Sequence, residues 1–115
     1  MTTTELTKEN IDWGNLGFDY KPTTYRFVAT YKNGAWSEGE LTTSQTVQVH
    51  EGSTALHYGQ QCFEGMKAQT AKDGRVLLFR PDLNAERLRQ SCERLSMAEV
   101  PEELFLRGVK EAVRA

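Results

Sequence analysis

The chain has 115 residues, a formal net charge of −2 and 38% hydrophobic residues, which fits one small folded domain and argues against wholesale disorder. Its 14 Lys and Arg against 16 Asp and Glu lack the basic excess of a general nucleic-acid binder, and no apolar run nears the ~20 residues that span a bilayer. The opening ten residues carry no basic end followed by an apolar run, so they read as no secretory signal, and the expected setting is the cytoplasm, away from nucleic acid and membrane.

Residues 1–17 are polar and read as a flexible lead-in to a domain over 18–115. Over 25–31 the aromatic and β-branched residues alternate, with Tyr25, Phe27, Ala29 and Tyr31 on one parity, which predicts a strand. Asn33-Gly34 follows, the strongest short hairpin signal, because both positions tolerate positive φ. Trp36 starts the return toward Leu41. A further strand is predicted at 46–50, with Val47 and Val49 on one face, then a loop at 51–54. Another strand is predicted at 63–69, a turn at Lys72-Asp73-Gly74, and a strand at 75–79, the clearest of the set. The first two-thirds therefore reads as one antiparallel sheet of hairpin-connected strands.

The last third changes period. Pro81 suits the first turn of a helix, where its missing N–H costs nothing. From Asp82 to about Ser96 the residues Ala85, Leu88, Cys92 and Leu95 recur at helical spacing. Pro101 opens a second helix with Leu104, Phe105, Val109, Ala112 and Val113 on its inner stripe. Strands followed by helices predict an α+β fold with the two C-terminal helices packed on the sheet. The second helical pattern runs to Ala115 without a Gly, Asn or Pro stop signal, which fits either a piece of something longer or a helix that ends at a natural C-terminus.

Two segments could carry chemistry. In the run from Leu78 to Arg87 a strand passes into a helix, and Arg87 projects from the second turn. Helix N-termini attract anions, and an arginine adds a planar fork that grips phosphate. The plain alternative is a solvated charge pairing with Glu86 or Glu93. In the run from Ala55 to Gly65, Gly59 and Gly65 permit close backbone approach and Tyr58 offers a hydroxyl at an apolar wall. The alternative there is that Tyr58 and Phe63 are core aromatics and His57 a structural histidine. Cys62 and Cys92 read as free thiols. With His50 and His57 they fit no standard zinc spacing, so no metal site is expected. There is no GxSxG, P-loop or GxGxxG, and Glu102-Glu103 suits a helix start.

These two segments resemble the branched-chain amino-acid aminotransferases, the fold-type IV enzymes dependent on pyridoxal phosphate. The matching text is Leu56-His-Tyr-Gly-Gln-Gln-Cys-Phe-Glu-Gly-Met-Lys-Ala68, then Leu78-Phe-Arg-Pro-Asp-Leu-Asn-Ala-Glu-Arg87, then Arg94-Leu95 and Val100-Pro101. The run Gly17-Phe-Asp-Tyr20, the Trp36 hairpin and Glu38-Gly-Glu-Leu41 also look like bacterial members. The resemblance covers nearly the whole chain from about residue 12. It implies that Arg87 binds the cofactor phosphate, that Tyr58 stands on the wall of the substrate pocket, that Phe63 and Phe18 are aromatics around the aliphatic side-chain pocket, and that Gly65 is the small residue beside it. It further implies exchange of an amino group between leucine, isoleucine or valine and 2-oxoglutarate, and a homodimer of the complete protein.

The resemblance also implies what these residues lack. Family members run to several hundred residues, and their cofactor-linking lysine lies beyond position 115. None of Lys8, Lys21, Lys32, Lys67, Lys72 and Lys110 sits in that motif, and Lys67 reads as structural. The chain is thus expected to be a partial small domain without the large catalytic domain, inactive by itself. Two other readings remain at this point: a standalone module that binds a phosphorylated ligand, and a partner domain for a separately encoded large domain.

Overall fold

The computed structural model describes residues 10–115; the start of the predicted lead-in, residues 1–9, lies outside them. Where the description begins, the Asp12 carboxylate accepts from Gly14 N and Asn15 Nδ2 at 3.1 and 2.9 Å, a side-chain turn of the kind aspartate favours.

Residues 26–42 form one long antiparallel ribbon. Strands β1 (Arg26–Val28) and β4 (Glu40–Thr42) pair at its base, and β2 (Tyr31–Lys32) and β3 (Ala35–Trp36) pair at its tip. At the tip Asn33 and Gly34 have φ of 52° and 82°, the two positive values that a tight hairpin needs. Tyr31 and Trp36 face each other there, ring centroids 5.4 Å apart. The register slips by one residue between base and tip: Val28 pairs with Glu40, but Tyr31 with Trp36. The return strand therefore carries one extra residue, a bulge, with Gly39 at φ 79°.

That bulge makes room for the aromatic anchor of the ribbon. A Cβ on Gly39 would lie 2.3 Å from the Phe27 ring, and one on Gly108 would lie 2.7 Å from it. The two glycines thus sandwich Phe27 between the ribbon and helix α3 (Glu102–Arg114), with the Arg107 guanidinium 5.7 Å from the ring centroid. Arg107 also donates to the Glu38 carbonyl, and Trp36 Nε1 donates to the Glu99 carbonyl at 2.9 Å. Helix α3 starts after Pro101 with Glu102 and Glu103 in its first turn and has Arg114 in its last, matching the helix dipole.

A separate hairpin, β5 (Ala68–Thr70) with β6 (Val76–Leu78), leads into helix α2 (Pro81–Arg94). Helix α2 ends in a Schellman motif: Ser96 N–H reaches Glu93 O at 3.1 Å and Met97 N–H reaches Cys92 O at 2.8 Å. Ser96 takes φ 55° there, the place usually given to glycine. Helix α2 packs on α3, and α3 packs on β1 and β4.

The α+β class, its antiparallel hairpins and its two C-terminal helices agree with the sequence reading. The single sheet does not: the strands form three separate two-stranded sheets. Residues 46–50 form no strand; just before and at their start the Thr42 hydroxyl accepts from Ser44 N–H, and the Ser44 hydroxyl accepts from Thr46 N–H and donates to the Thr46 carbonyl, local bonds that compete with a ladder. The strand predicted at 63–69 is reduced to Ala68–Thr70, since the residues before it are fastened by side chains instead. A short helix, α1 (Thr54–His57), stands where none was predicted, capped by the Ser53 hydroxyl.

Among the described residues the buried apolar side chains are few: Ala85, Cys92 and Leu104. Of the stripe predicted on α3, Leu104 is buried while Ala112 and Val113 are exposed. The accessible surface is 9593 Å², against about 6400 Å² expected for a folded monomer of this mass.

Candidate functional site

The second candidate segment lies along α2 as an extended strap. Gly59, at φ 64°, turns the chain out of α1. Gln60 Nε2 then donates to the Leu95 carbonyl at the far end of α2, at 2.7 Å. Four residues later Glu64 meets Arg87, nearer the start of α2. Between these fasteners the half-buried Cys62 thiol contacts the buried Cys92 thiol. Burial first, and then this neighbour, pushes the Cys92 thiol up from its ordinary value.

The Glu64–Arg87 contact is bidentate: Nε to Oε1 at 2.5 Å and Nη2 to Oε2 at 2.7 Å. The Glu64 side chain is only 7% exposed, whereas that of Arg87 is 66% exposed. Asn84 Nδ2 donates both to Glu64 Oε2 at 2.9 Å and to the Gly65 carbonyl at 3.1 Å. The Arg87 bond, above all, holds the Glu64 carboxyl below its ordinary range, with Asn84 assisting and burial opposing. Glu64 in turn raises Arg87. Two of the five guanidinium N–H bonds thus face Glu64. The edge formed by Nη1 and the second Nη2 hydrogen is left outward.

Beside Arg87 lies a groove of about 450 Å³ lined by Arg87, Gln90, Ser91, Arg94, Leu95 and Cys62. Two arginines, a glutamine and a serine are thus among its lining residues. With Glu64 counted, two cations stand against one anion. That donor set suits a phosphate dianion, so the chain's own residues fit the phosphate of the cofactor that the resemblance implies.

Arg87 projects from the second turn of α2, as the sequence reading placed it. It lies six residues after Pro81, about 9 Å along the axis. The N-terminus itself is filled by the Asp82 carboxylate, which takes a fork from Arg80 at 3.1 and 2.9 Å. Arg87 does not pair with Glu86 or Glu93; both of those bind Arg89.

Gly65 lies beside the Arg87 clasp through Asn84 and lines a separate cavity of about 270 Å³ with Lys67 and Phe79. Phe63, Tyr58 and Phe18 are 90%, 85% and 110% exposed. None is a core aromatic, and the described residues do not close a pocket around them. His57 bonds the Glu51 carbonyl and His50 accepts from Gly52 N–H at 2.9 Å, so both histidines serve their own loops. Among the described residues no three metal-ligating side chains gather, and no helix is long and apolar enough to cross a membrane. Sequence reasoning passed over Glu64 and Asn84. Asn84 was findable, standing one turn before Arg87 on the same helix face; Glu64, 23 residues away from Arg87, gave no local signal.

No family model matches the chain. It is 59% identical over 107 residues to a branched-chain-amino-acid aminotransferase of Haemophilus influenzae, a match covering 93% of this chain and 31% of that protein. It is 58% identical over 107 residues to the Helicobacter pylori protein of the same name, covering 93% and 32%. It is 44% identical to branched-chain-amino-acid transaminase 1 of Bacillus subtilis over 107 residues, covering 92% and 30%. The chain spans about a third of the length of the curated relatives it matches.

Proposed function

We propose that this chain, homologous over nearly all its length to about a third of the branched-chain-amino-acid aminotransferases, is the partial small domain of such an enzyme. The complete protein would exchange an amino group between leucine, isoleucine or valine and 2-oxoglutarate. It would act as a cytoplasmic homodimer of fold type IV with pyridoxal phosphate. That cofactor, when bound, supplies the electron-withdrawing ring that stabilises charge at the amino acid's α-carbon.

The residues of this chain would bind and orient. Arg87, with its outward edge, would hold the cofactor phosphate. Tyr58, Phe63 and Phe18 would wall the aliphatic pocket, with Gly65 keeping space open beside it. An apolar wall favours branched side chains by about 0.8 kcal/mol for each methylene it buries. The exposure of these aromatics supports a role for them beyond packing this chain. The reactive lysine would belong to the remaining two-thirds of the protein, so the 115 residues alone would not transaminate.

The observation that carries this reading is the 59% identity over 93% of the chain, joined to a groove at Arg87 that Arg94 also lines. The test is glutamate formation from leucine, isoleucine or valine plus 2-oxoglutarate by the complete protein, with the 115-residue chain assayed beside it. Turnover by the complete protein only is expected. Arg87→Ala should weaken retention of pyridoxal phosphate by about 10–100-fold, the range of a lost hydrogen bond to a charged group. A complete protein that makes no glutamate, or an Arg87→Ala variant that keeps its cofactor as tightly, overturns the reading.

A further inference from the structure

We propose that Glu64 is a positioning residue for phosphate recognition: it fixes which edge of the Arg87 guanidinium faces the groove. The inference rests on the phosphate reading of Arg87 and extends it to a residue that does not touch the phosphate.

Among the ion pairs of the described residues, the other carboxylates are between 44% and 96% exposed, while Glu64 is 7% exposed. A carboxylate taken so far out of water is costly unless all its bonds are made. Here they come from one edge of Arg87 and from Asn84. Arginine is a long side chain that loses considerable freedom when held. Free in solvent, Arg87 would meet a phosphate in many rotamers. Clasped along Nε and Nη2, it presents one edge in one direction. Asn84 extends the clasp to the Gly65 carbonyl, so the same carboxylate sets the strap that carries Phe63 against the helix that carries Arg87.

A negative charge beside an anion site also repels the anion, and this opposes the proposal. The repulsion acts through exposed surface, where water and salt weaken it. The bidentate clasp is short and shielded at the carboxylate end. Positioning is therefore expected to outweigh repulsion.

The experiment uses the complete protein stripped of cofactor. Binding of pyridoxal phosphate and of pyridoxal, which lacks the phosphate, is followed by quenching of tryptophan fluorescence, and the ratio of the two affinities is the readout. Glu64→Gln is expected to lower this ratio by about tenfold, the cost of ordering one long side chain on binding, with pyridoxal affinity little changed. Glu64→Asp should recover part of the loss, and it carries the test alone if Glu64→Gln does not fold. A general loosening of the strap would weaken both ligands together and leave the ratio intact. That result overturns the proposal, as would an unchanged ratio or a tighter grip on pyridoxal phosphate. Arg87→Ala separates the two levels. If it leaves the ratio unchanged, the phosphate reading itself fails. If it lowers the ratio while Glu64→Gln does not, only the role of Glu64 fails.

Discussion

Phe27 and Phe63 stand for two regions built on opposite terms. Phe27 is half-buried, its ring close against two glycines, one on the bulge and one on helix α3. Phe63 lies on a strap fastened by hydrogen bonds and is 90% exposed. The ribbon and α3 are joined by shape; the strap and α2 are joined by polar bonds, while the aromatics of the strap point away. A segment held by its polar groups keeps its apolar groups for another surface. Such exposed aromatics fit a chain that spans about a third of the length of its relatives.

Breaking the shape-built region should have the largest effect. Gly39→Val puts a branched Cβ 2.3 Å from Phe27 at a backbone φ of 79°, combining a clash with left-handed strain. The expected loss is about 3 kcal/mol or more, read as a collapse of the urea midpoint. Pairing it with Phe27→Leu should recover part of the loss.

The polar region should answer to pH instead. The Glu64 carboxyl lies below its ordinary 4.5 in the folded chain. Its contribution is therefore full above the unfolded value and fades as pH falls through the lower folded value. Glu64→Gln should be less stable at neutral pH and converge on the parent in acid, giving a shallower acid limb in thermal melts. Parallel acid limbs would mean that the clasp contributes nothing to folding.

Smaller effects sharpen the contrast. Ser96 occupies a left-handed cap position without being glycine, so Ser96→Gly is expected to stabilise by about 0.5–1 kcal/mol in urea titrations. Phe63→Ser, on a side chain that packs little within this chain, should change the stability of the 115 residues by less than about 0.5 kcal/mol. A loss of 2 kcal/mol or more there would make Phe63 a core residue and erase the distinction.

The legible parts of the fold were those written in adjacent residues. Asn33-Gly34 announced its hairpin, Pro81 and Pro101 announced their helices, and the apolar run at 75–79 announced β6. The failures share one cause. At 46–50 the alternation of Val47 and Val49 was real, but among the described residues no strand pairs with it, and both valines are exposed. The bulge at Gly39 has no signature apart from Phe27, twelve residues away. At the site, Arg87 was visible as a type of residue in a suggestive run, yet its neighbour was misread. The nearby glutamates on α2 belong to Arg89, and the one that matters comes from the strap.

The sequence by itself determined the local grammar: turn residues, helical periods, the order of hairpins then helices, and a text shared with the branched-chain aminotransferases. Only the tertiary structure decided that the hairpins stay separate, that Phe27 is half-buried while Phe63 is exposed, and that Glu64 pairs with Arg87, 23 residues along the chain. Local preferences act through neighbouring backbone and are readable one segment at a time. A buried carboxylate and its arginine become partners only once folding has removed the water that would otherwise have satisfied each of them alone.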